Sequence, residues 1–404
     1  MDATGTNAQA RRAARTDRVQ LAARMAEIQP FHVMEVLRRA ATLEAAGRRI
    51  IHMEIGQPDF AAPEPVIEAA VRALRTEPMG YTDALGIPAL REAISRFYGE
   101  RFGVDVPAAR IMLTAGASGA FLLAMGALLD PGDEVLLPDP SYPCNRHFVR
   151  LFEGRAKTIP VGADSAYQLT AEHVRRHWGP GTRGVMIATP SNPTGTTVPP
   201  EELAAIVAAA RERGGWVLVD EIYQGLVYGT AERTALALDD SLFVVNSFSK
   251  YFNMTGWRLG WLVAPADAIA QMERLAQNAF ICVSAPAQYA ALAAFDPATL
   301  AILEQRRGEF ERRRDFLVPA LRAIGFDIPV TPNGAFYVYA DASRFGMDAA
   351  ELSMRVLEEA GVAITPGADF GAHEANRYVR FAYTRAMADL QEGVARLGAL
   401  LRNA

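Results

Sequence analysis

The sequence predicts an α/β protein: a large domain with a mainly parallel sheet flanked by helices, and a smaller α+β domain. Three observations carry that expectation. From about residue 63, short apolar runs alternate with helical stretches, the pattern of strand–helix–strand units. From residue 301 this alternation gives way to one charged helix and two aromatic strands. The chain is also 404 residues long, more than the ~100–200 of one ordinary domain.

Residues 1–30 are polar and Arg-rich without strong periodicity, and read as an N-terminal arm, mobile or docked on a partner. The run Arg11-Arg12-Ala13-Ala14-Arg15 is followed by no apolar stretch, so no secretory or twin-arginine signal is expected. Residues 31–50 place Val33, Val36, Leu37, Ala40 and Leu43 on one helical face. A short strand at 51–55 then stops at Gly56-Gln57-Pro58-Asp59, a turn signal. Residues 31–62 are expected to form the N-terminal part of the small domain.

The large domain is expected over 63–300. Its strands are 111–114, 134–137, 185–189, 216–220, 243–246 and 258–263, with helices such as 201–213 between them. The uncharged run 111–129 is long enough to span a bilayer. Thr114, Ser118, Gly116, Gly119 and Gly126 interrupt it, and strand, tight turn and buried helix is the better reading. The small C-terminal domain, 301–404, has a charged helix at 304–314, a strand in Gly-Ala-Phe-Tyr-Val-Tyr, a helix near 349–360 and a strand in Arg-Tyr-Val-Arg-Phe-Ala-Tyr.

A formal net charge of −5 provides no field to hold nucleic acid or an anionic membrane, so neither is an expected partner. Cys144 and Cys282 make no metal-ligand spacing and no disulfide framework, which fits a reducing cytoplasm and no metal. The cations are skewed: 39 arginines and two lysines, Lys157 and Lys250, so chemistry that needs a lysine amine has two candidates.

In an open α/β sheet, ligands bind beyond the carboxyl ends of the strands. After strand 111–114 stands Ala115-Gly116-Ala117-Ser118-Gly119-Ala120, where small residues open a helix N-terminus suited to phosphate or to simple close packing. Strand 185–189 ends in Pro190-Ser191-Asn192-Pro193-Thr194-Gly195, an Asn bracketed by prolines or an ordinary turn. Strand 216–220 ends on Asp220, a carboxylate that needs a cation there or else caps the next helix. Tyr223 lies three positions on, at helical spacing. Strand 243–246 runs into Ser247-Phe248-Ser249-Lys250, where an apolar setting lowers the lysine pKa and makes the amine nucleophilic. Lys157 instead reads as a solvated strand edge. A phosphate loop, a strand-end Asp, a Tyr and a nucleophilic Lys together are what pyridoxal 5′-phosphate requires.

With Gly56-Gln57-Pro58-Asp59-Phe60, Tyr81 with Gly86 and Leu90-Arg91, Asn192-Pro193-Thr194-Gly195, Asp220-Glu221-Ile222-Tyr223, Ser247-Phe248-Ser249-Lys250 and Gly256-Trp257-Arg258-Leu259-Gly260, the chain resembles the class I/II aminotransferases, fold type I pyridoxal-phosphate enzymes related to aspartate aminotransferase. The resemblance runs from about Pro30 to near the C-terminus. It implies that Lys250 is the Schiff-base lysine and proton carrier, that Asp220 pairs with the pyridine nitrogen, and that Tyr223 and Asn192 bond the ring's phenolic oxygen. Gly116, Ala117 and Ser118, with Ser247 and Arg258, would hold the phosphate, and Tyr142 would stack on the ring. Tyr81 would reach the neighbouring subunit's phosphate, making the enzyme a homodimer with active sites at the interface. Arg380, with Gly56 and Asn192, would bind the substrate, its bidentate fork suiting an α-carboxylate.

The implied reaction moves an amino group from an L-amino acid to a 2-oxo acid, with 2-oxoglutarate as the expected acceptor, by a ping-pong mechanism. Some relatives carry Lys where this chain has Ser118, so an uncharged or aromatic donor competes with aspartate. Two alternatives stand beside this reading: a carbon–sulfur β-lyase of the same fold, and a non-catalytic cofactor-binding domain of a transcription regulator. The second would need a DNA-binding module of ~60 residues ahead of the first helix, which the sequence given does not contain.

Overall fold

The computed structural model describes Val19 and residues 21–401, and the chain divides into two compact units, residues 1–30 and residues 31–404. The first unit contains, among its described residues, a single 3-10 turn, Ala23–Ala26, and the Arg11–Arg15 run lies outside the described residues. The second unit holds the sheets and the helices around them.

The expected amphipathic helix is α1 (Val33–Ala45), and its one apolar face divides between two surroundings. Val36, Ala40 and Leu43 are buried and pack with Ile50, Leu357 and Ala363, while Val33 and Leu37 remain half-buried. The strand expected at 51–55 is only β1 (Ile51–His52). Beyond it the chain turns through Gly56 into the centre of the protein.

Seven strands form the central sheet: β2 (Ile111–Thr114), β3 (Glu134–Asp139), β4 (Arg155–Pro160), β5 (Thr182–Ala188), β6 (Trp216–Asp220), β7 (Phe243–Ser247) and β8 (Gly260–Val263). Their order is β2-β8-β7-β6-β5-β3-β4. All neighbours are parallel except β8, which runs antiparallel to both β2 and β7. Alternate residues enter two separate cores. Leu136, Val185, Val219 and Val244 pack on one face, and Leu137, Met186, Leu218 and Val245 pack on the other. A sheet buried on both faces needs continuous apolar strands, which is why these runs were legible. Among the flanking helices are α2 (Gly116–Leu128), α3 (Pro143–Leu151) and α4 (Pro200–Arg211).

The segment 155–160 shows why β4 is not announced by an apolar run: as the sheet edge it buries only Ile159 fully. Lys157 lies on it, with Nζ donating to the His177 carbonyl at 2.7 Å. The strand expected from Arg258 begins two residues later, because Arg258 adopts φ 52°, outside the extended region. The charged helix expected at 304–314 is the middle of α5 (Pro297–Ile324).

A second sheet is antiparallel: β9 (Tyr337–Asp341), β11 (Thr365–Pro366) and β12 (Tyr378–Ala382), in the order β11-β12-β9. The short strand β10 (Val362–Ala363) pairs in parallel with β1, so residues near 51 and near 362 share one structure. Among the described residues, no helix is long and apolar enough to cross a membrane.

Candidate active site

A cavity of about 310 Å³ opens where β5, β6 and β7 end, with β9 and β12 closing its far side. Asp220, the last residue of β6, is buried, and one of its oxygens accepts from the Ile222 N–H at 3.0 Å. Burial pushes its carboxyl up to about 7; the Ile222 N–H and Lys250 offset only part of that cost. A carboxylate so placed calls for a cationic partner in the cavity.

Lys250 stands three residues beyond β7, its backbone carbonyl held by the main-chain and side-chain N–H groups of Asn253. Its Nζ donates to the Gly56 carbonyl at 2.7 Å. Burial, then Arg380 and Arg258, brings the ammonium down to about 8, against the opposing pull of Asp220. Gly56 tolerates no side chain, since a Cβ there would collide with the Tyr337 hydroxyl.

Arg380, at the centre of β12, is buried, and its hydrogen bonds go to neutral oxygens. Nη1 donates to Asn192 Oδ1 at 2.9 Å, and Nη2 to the Glu54 carbonyl at 2.5 Å and Thr365 Oγ1 at 3.2 Å. The guanidinium lies between the rings of Tyr337 and Phe370, 4.4 and 4.8 Å from their centroids. Its Nε has no partner among the described residues. A desolvated cation held by two rings is a seat for an anionic fork such as a carboxylate.

At another wall, α2 begins at Gly116 without a side-chain cap, leaving its first N–H groups to the cavity. Ala117 and Ser118 line the wall there, with Arg258 beside them. The contact is close enough that a Cβ on Gly116, which has φ +68°, would come within 2.7 Å of Arg258 Nη2. Arg258 is braced by the Thr255 carbonyl at 3.1 Å, and its left-handed backbone aims the side chain back at the helix start. An uncapped N-terminus, a hydroxyl and a guanidinium form a built anion site.

The remaining expectations divide. Asn192 and Tyr142 both line the cavity, and Tyr142 ends the β3 loop at the start of α3. Tyr223 lines it too, but 222–225 form a turn rather than a helix, and its hydroxyl is 2.8 Å from that of Tyr337. Ser247 sits behind the wall, its Oγ bonded to Ser249 Oγ and the Leu259 carbonyl at 2.9 and 3.1 Å, and the hydroxyl that reaches the cavity is Ser249's. Tyr81 is 84% exposed and lies outside the cavity of its own chain. Sequence reasoning missed Tyr337, Phe370, Thr365 and the Glu54 carbonyl. Tyr337 was visible as an aromatic in an alternating strand, a signal indistinguishable from core packing.

Residues 48–397 match the aminotransferase class I and II family. The chain belongs to that family. Along 388 residues this aminotransferase is 40% identical to the valine–pyruvate aminotransferase of Mycobacterium tuberculosis, covering 96% of this chain and 99% of that one. It is 36% identical over 400 residues to the aspartate aminotransferase of Streptomyces avermitilis, covering 95% and 97%. Its fold superposes on the crystal structure of an aminotransferase from Mycobacterium tuberculosis with TM-score 0.92, at 40% identity and 96% and 100% coverage. Against the Thermus thermophilus aspartate aminotransferase with maleate the TM-score is 0.89, at 32% identity and 95% and 100% coverage.

Proposed function

We propose that this aminotransferase uses pyridoxal 5′-phosphate to move an amino group from an L-amino acid with an uncharged side chain to a 2-oxo acid, by a ping-pong mechanism, as a cytoplasmic homodimer. The observation that carries the reading is the meeting, in one cavity, of a lysine amine, a buried carboxyl group at a strand end and a guanidinium whose Nε is unpartnered among the described residues.

The cavity fits the cofactor. The anion site at Gly116, Ala117, Ser118 and Arg258 suits its phosphate, with Ser249 facing it and Ser247 holding Ser249. Asp220 suits a protonated pyridine nitrogen, and Tyr223 and Asn192 have polar groups to offer its phenolic oxygen. Tyr142 would cover the ring face, and Tyr81 would serve the partner's phosphate. Bound there, pyridoxal phosphate supplies an electron-withdrawing ring that takes up the electron pair of a broken Cα–H bond.

The chain's own residues do the rest. Arg380 binds the substrate carboxylate and orients its Cα. The Lys250 amine, neutral above about pH 8, takes the Cα proton and then returns it. Asp220 would keep the pyridine nitrogen of the bound cofactor protonated. Residues 63–300 would form the cofactor domain, and 31–62 with 301–404 the small domain that brings in Arg380 and Tyr337.

The donor reading rests on Val33 and Leu37, which give the cavity an apolar wall, and the Mycobacterium tuberculosis relative's name points the same way. 2-Oxoglutarate is the acceptor favoured by the family resemblance, and pyruvate, from that relative's name, is the one to assay beside it. The test is a half-reaction. Cofactor-loaded protein mixed with each amino acid alone should change its absorbance and release one oxo acid per site without ammonia. Release of ammonia and pyruvate would make it a β-lyase, and silence with every common amino acid would end the proposal. Arg380→Lys should lower kcat/KM for donors by roughly 10²-fold, because an ammonium cannot fork two oxygens or spread its charge over two rings as a planar guanidinium does. A value near wild type would remove Arg380 from substrate binding.

A further inference from the structure

One wall of the cavity is built from the start of α1, where Phe31, Val33 and Leu37 face inward while Val36, Ala40 and Leu43 face the small core. Glu44, near the end of this helix, meets His52 Nε2 at 3.0 Å, and two tethers reach the helix from distant parts of the chain. On its outer side Arg39 pairs with Glu358, Nη2 to Oε2 at 2.9 Å, both side chains more than a third exposed. At its N-terminus the carboxylate of Asp369 accepts two main-chain bonds, from His32 N–H at 2.5 Å and Val33 N–H at 2.9 Å. Neither Ser, Thr, Asn nor Asp stands at the helix's own cap position, which is His32 and makes no side-chain cap. A residue 336 positions away in sequence therefore does a cap's work.

Asp369 is itself firmly placed. It is buried, its carbonyl accepts from Arg146 Nη2 at 3.1 Å, and the carbonyl of the next residue accepts from Ser141 N–H at 2.8 Å. That next residue is Phe370, the ring over Arg380. One short loop thus carries both the ring that seats the carboxylate-binding guanidinium and the carboxylate that seats the apolar wall. The distance between wall and guanidinium is the length available to a substrate between its carboxylate and the end of its side chain.

We propose that Asp369 is a positioning residue that fixes the Phe31–Val33–Leu37 wall relative to Arg380, and so sets how strongly the enzyme favours longer apolar donors. This rests on the amino-transfer reading of the site. A methylene gripped by a fixed apolar wall is worth about tenfold or more in kcat/KM, and a wall free to shift forfeits that gain. The mechanism concerns selectivity along the side chain, not the proton transfer at Cα.

The experiment measures half-reaction kcat/KM for alanine, 2-aminobutyrate, norvaline and norleucine with wild type, Asp369→Ala, Asp369→Asn, Leu37→Ala and Arg39→Ala. In wild type kcat/KM should rise with chain length. In Asp369→Ala and Leu37→Ala the norleucine-to-alanine ratio should fall about tenfold. Asp369→Asn, which keeps one oxygen to accept from an N–H, should fall part of the way and serves if the alanine variant does not fold. Arg39→Ala cuts the outer tether and should leave the ratio within twofold or so, separating wall placement from general loosening of the helix. Amide exchange at His32 and Val33 should quicken in Asp369→Ala. The proposal is overturned by a flat profile in wild type, by an unchanged ratio in both Asp369 variants, or by all donors losing activity in parallel. Wild type inert to every donor would instead sink the amino-transfer reading.

Discussion

Lys250→Ala should abolish both amino transfer and borohydride-fixed attachment of the cofactor to the chain, while Lys157→Ala preserves both. The chain has only these two lysines, so peptide mapping of the reduced protein has two possible sites. Their surroundings differ: Lys157 sits on the sheet edge with its side chain 37% exposed, whereas Lys250 points into the cavity between Arg380, Arg258 and Asp220. The loss in kcat should reach at least the ~10²–10⁴ of a positioned acid–base group, since in the proposed mechanism the same amine both holds the cofactor and moves a proton. The pH dependence comes from the lowered pKa. The nucleophile is the neutral amine, so capture of cofactor by the apoprotein should accelerate as pH rises through about 8 and level off above it. Attachment persisting in Lys250→Ala, or capture still accelerating toward the ordinary lysine range, would overturn the assignment.

Asp220→Asn should do two opposite things: depress activity by roughly 10²–10³-fold, as for loss of a preorganised charge, and stabilise the cofactor-free protein at neutral pH. The second effect comes from burial. An ordinary Asp ionises near 3.8, but in the folded apoprotein Asp220 ionises near 7. Between those values the folded state holds a proton that the unfolded state has released. Stability is therefore highest below pH 4 in this contribution, falls as pH rises to about 7, and is flat above. The cost above pH 7 is on the order of 4 kcal/mol. An Asn carries no charge to bury, so thermal unfolding of the two apoproteins should diverge from pH 5 to pH 7 and stay apart at pH 8, with the variant higher. Equal melting at pH 8 would refute the buried-carboxylate account. With cofactor added, wild type should regain more than the variant, because a carboxylate pairs more strongly than an amide with the protonated pyridine nitrogen of the proposed cofactor.

Both residues were legible because each stands at or just past the end of an apolar strand that could be read locally. Val185 to Ile187, Val217 to Val219 and Phe243 to Val245 are buried, so their composition alone marked them, and Asp220 and Lys250 stood out as the first charges after the second and third of these runs. Scarcity helped with Lys250 and hindered with arginine, where 39 candidates had to be thinned by motif. The edge strand Arg155–Pro160 was harder, because an edge need not bury its side chains. Ser247 and Ser249 could not be told apart either: both stand in the same motif, and only the turn after β7 decides which hydroxyl faces the cavity and which props it.

By itself, then, the sequence determined most strands of the central sheet and the charged residues at or just past their ends, since periodicity and composition are local properties of the chain, and its motifs carried the resemblance to the family. Only the tertiary structure decided what surrounds them. Tyr337 and Phe370 on the two sides of Arg380, and Asp369 on the amides of His32 and Val33, join segments up to 337 residues apart. Such contacts are set by how the two sheets and α1 pack, and no local pattern encodes which distant partner a ring or a carboxylate will meet.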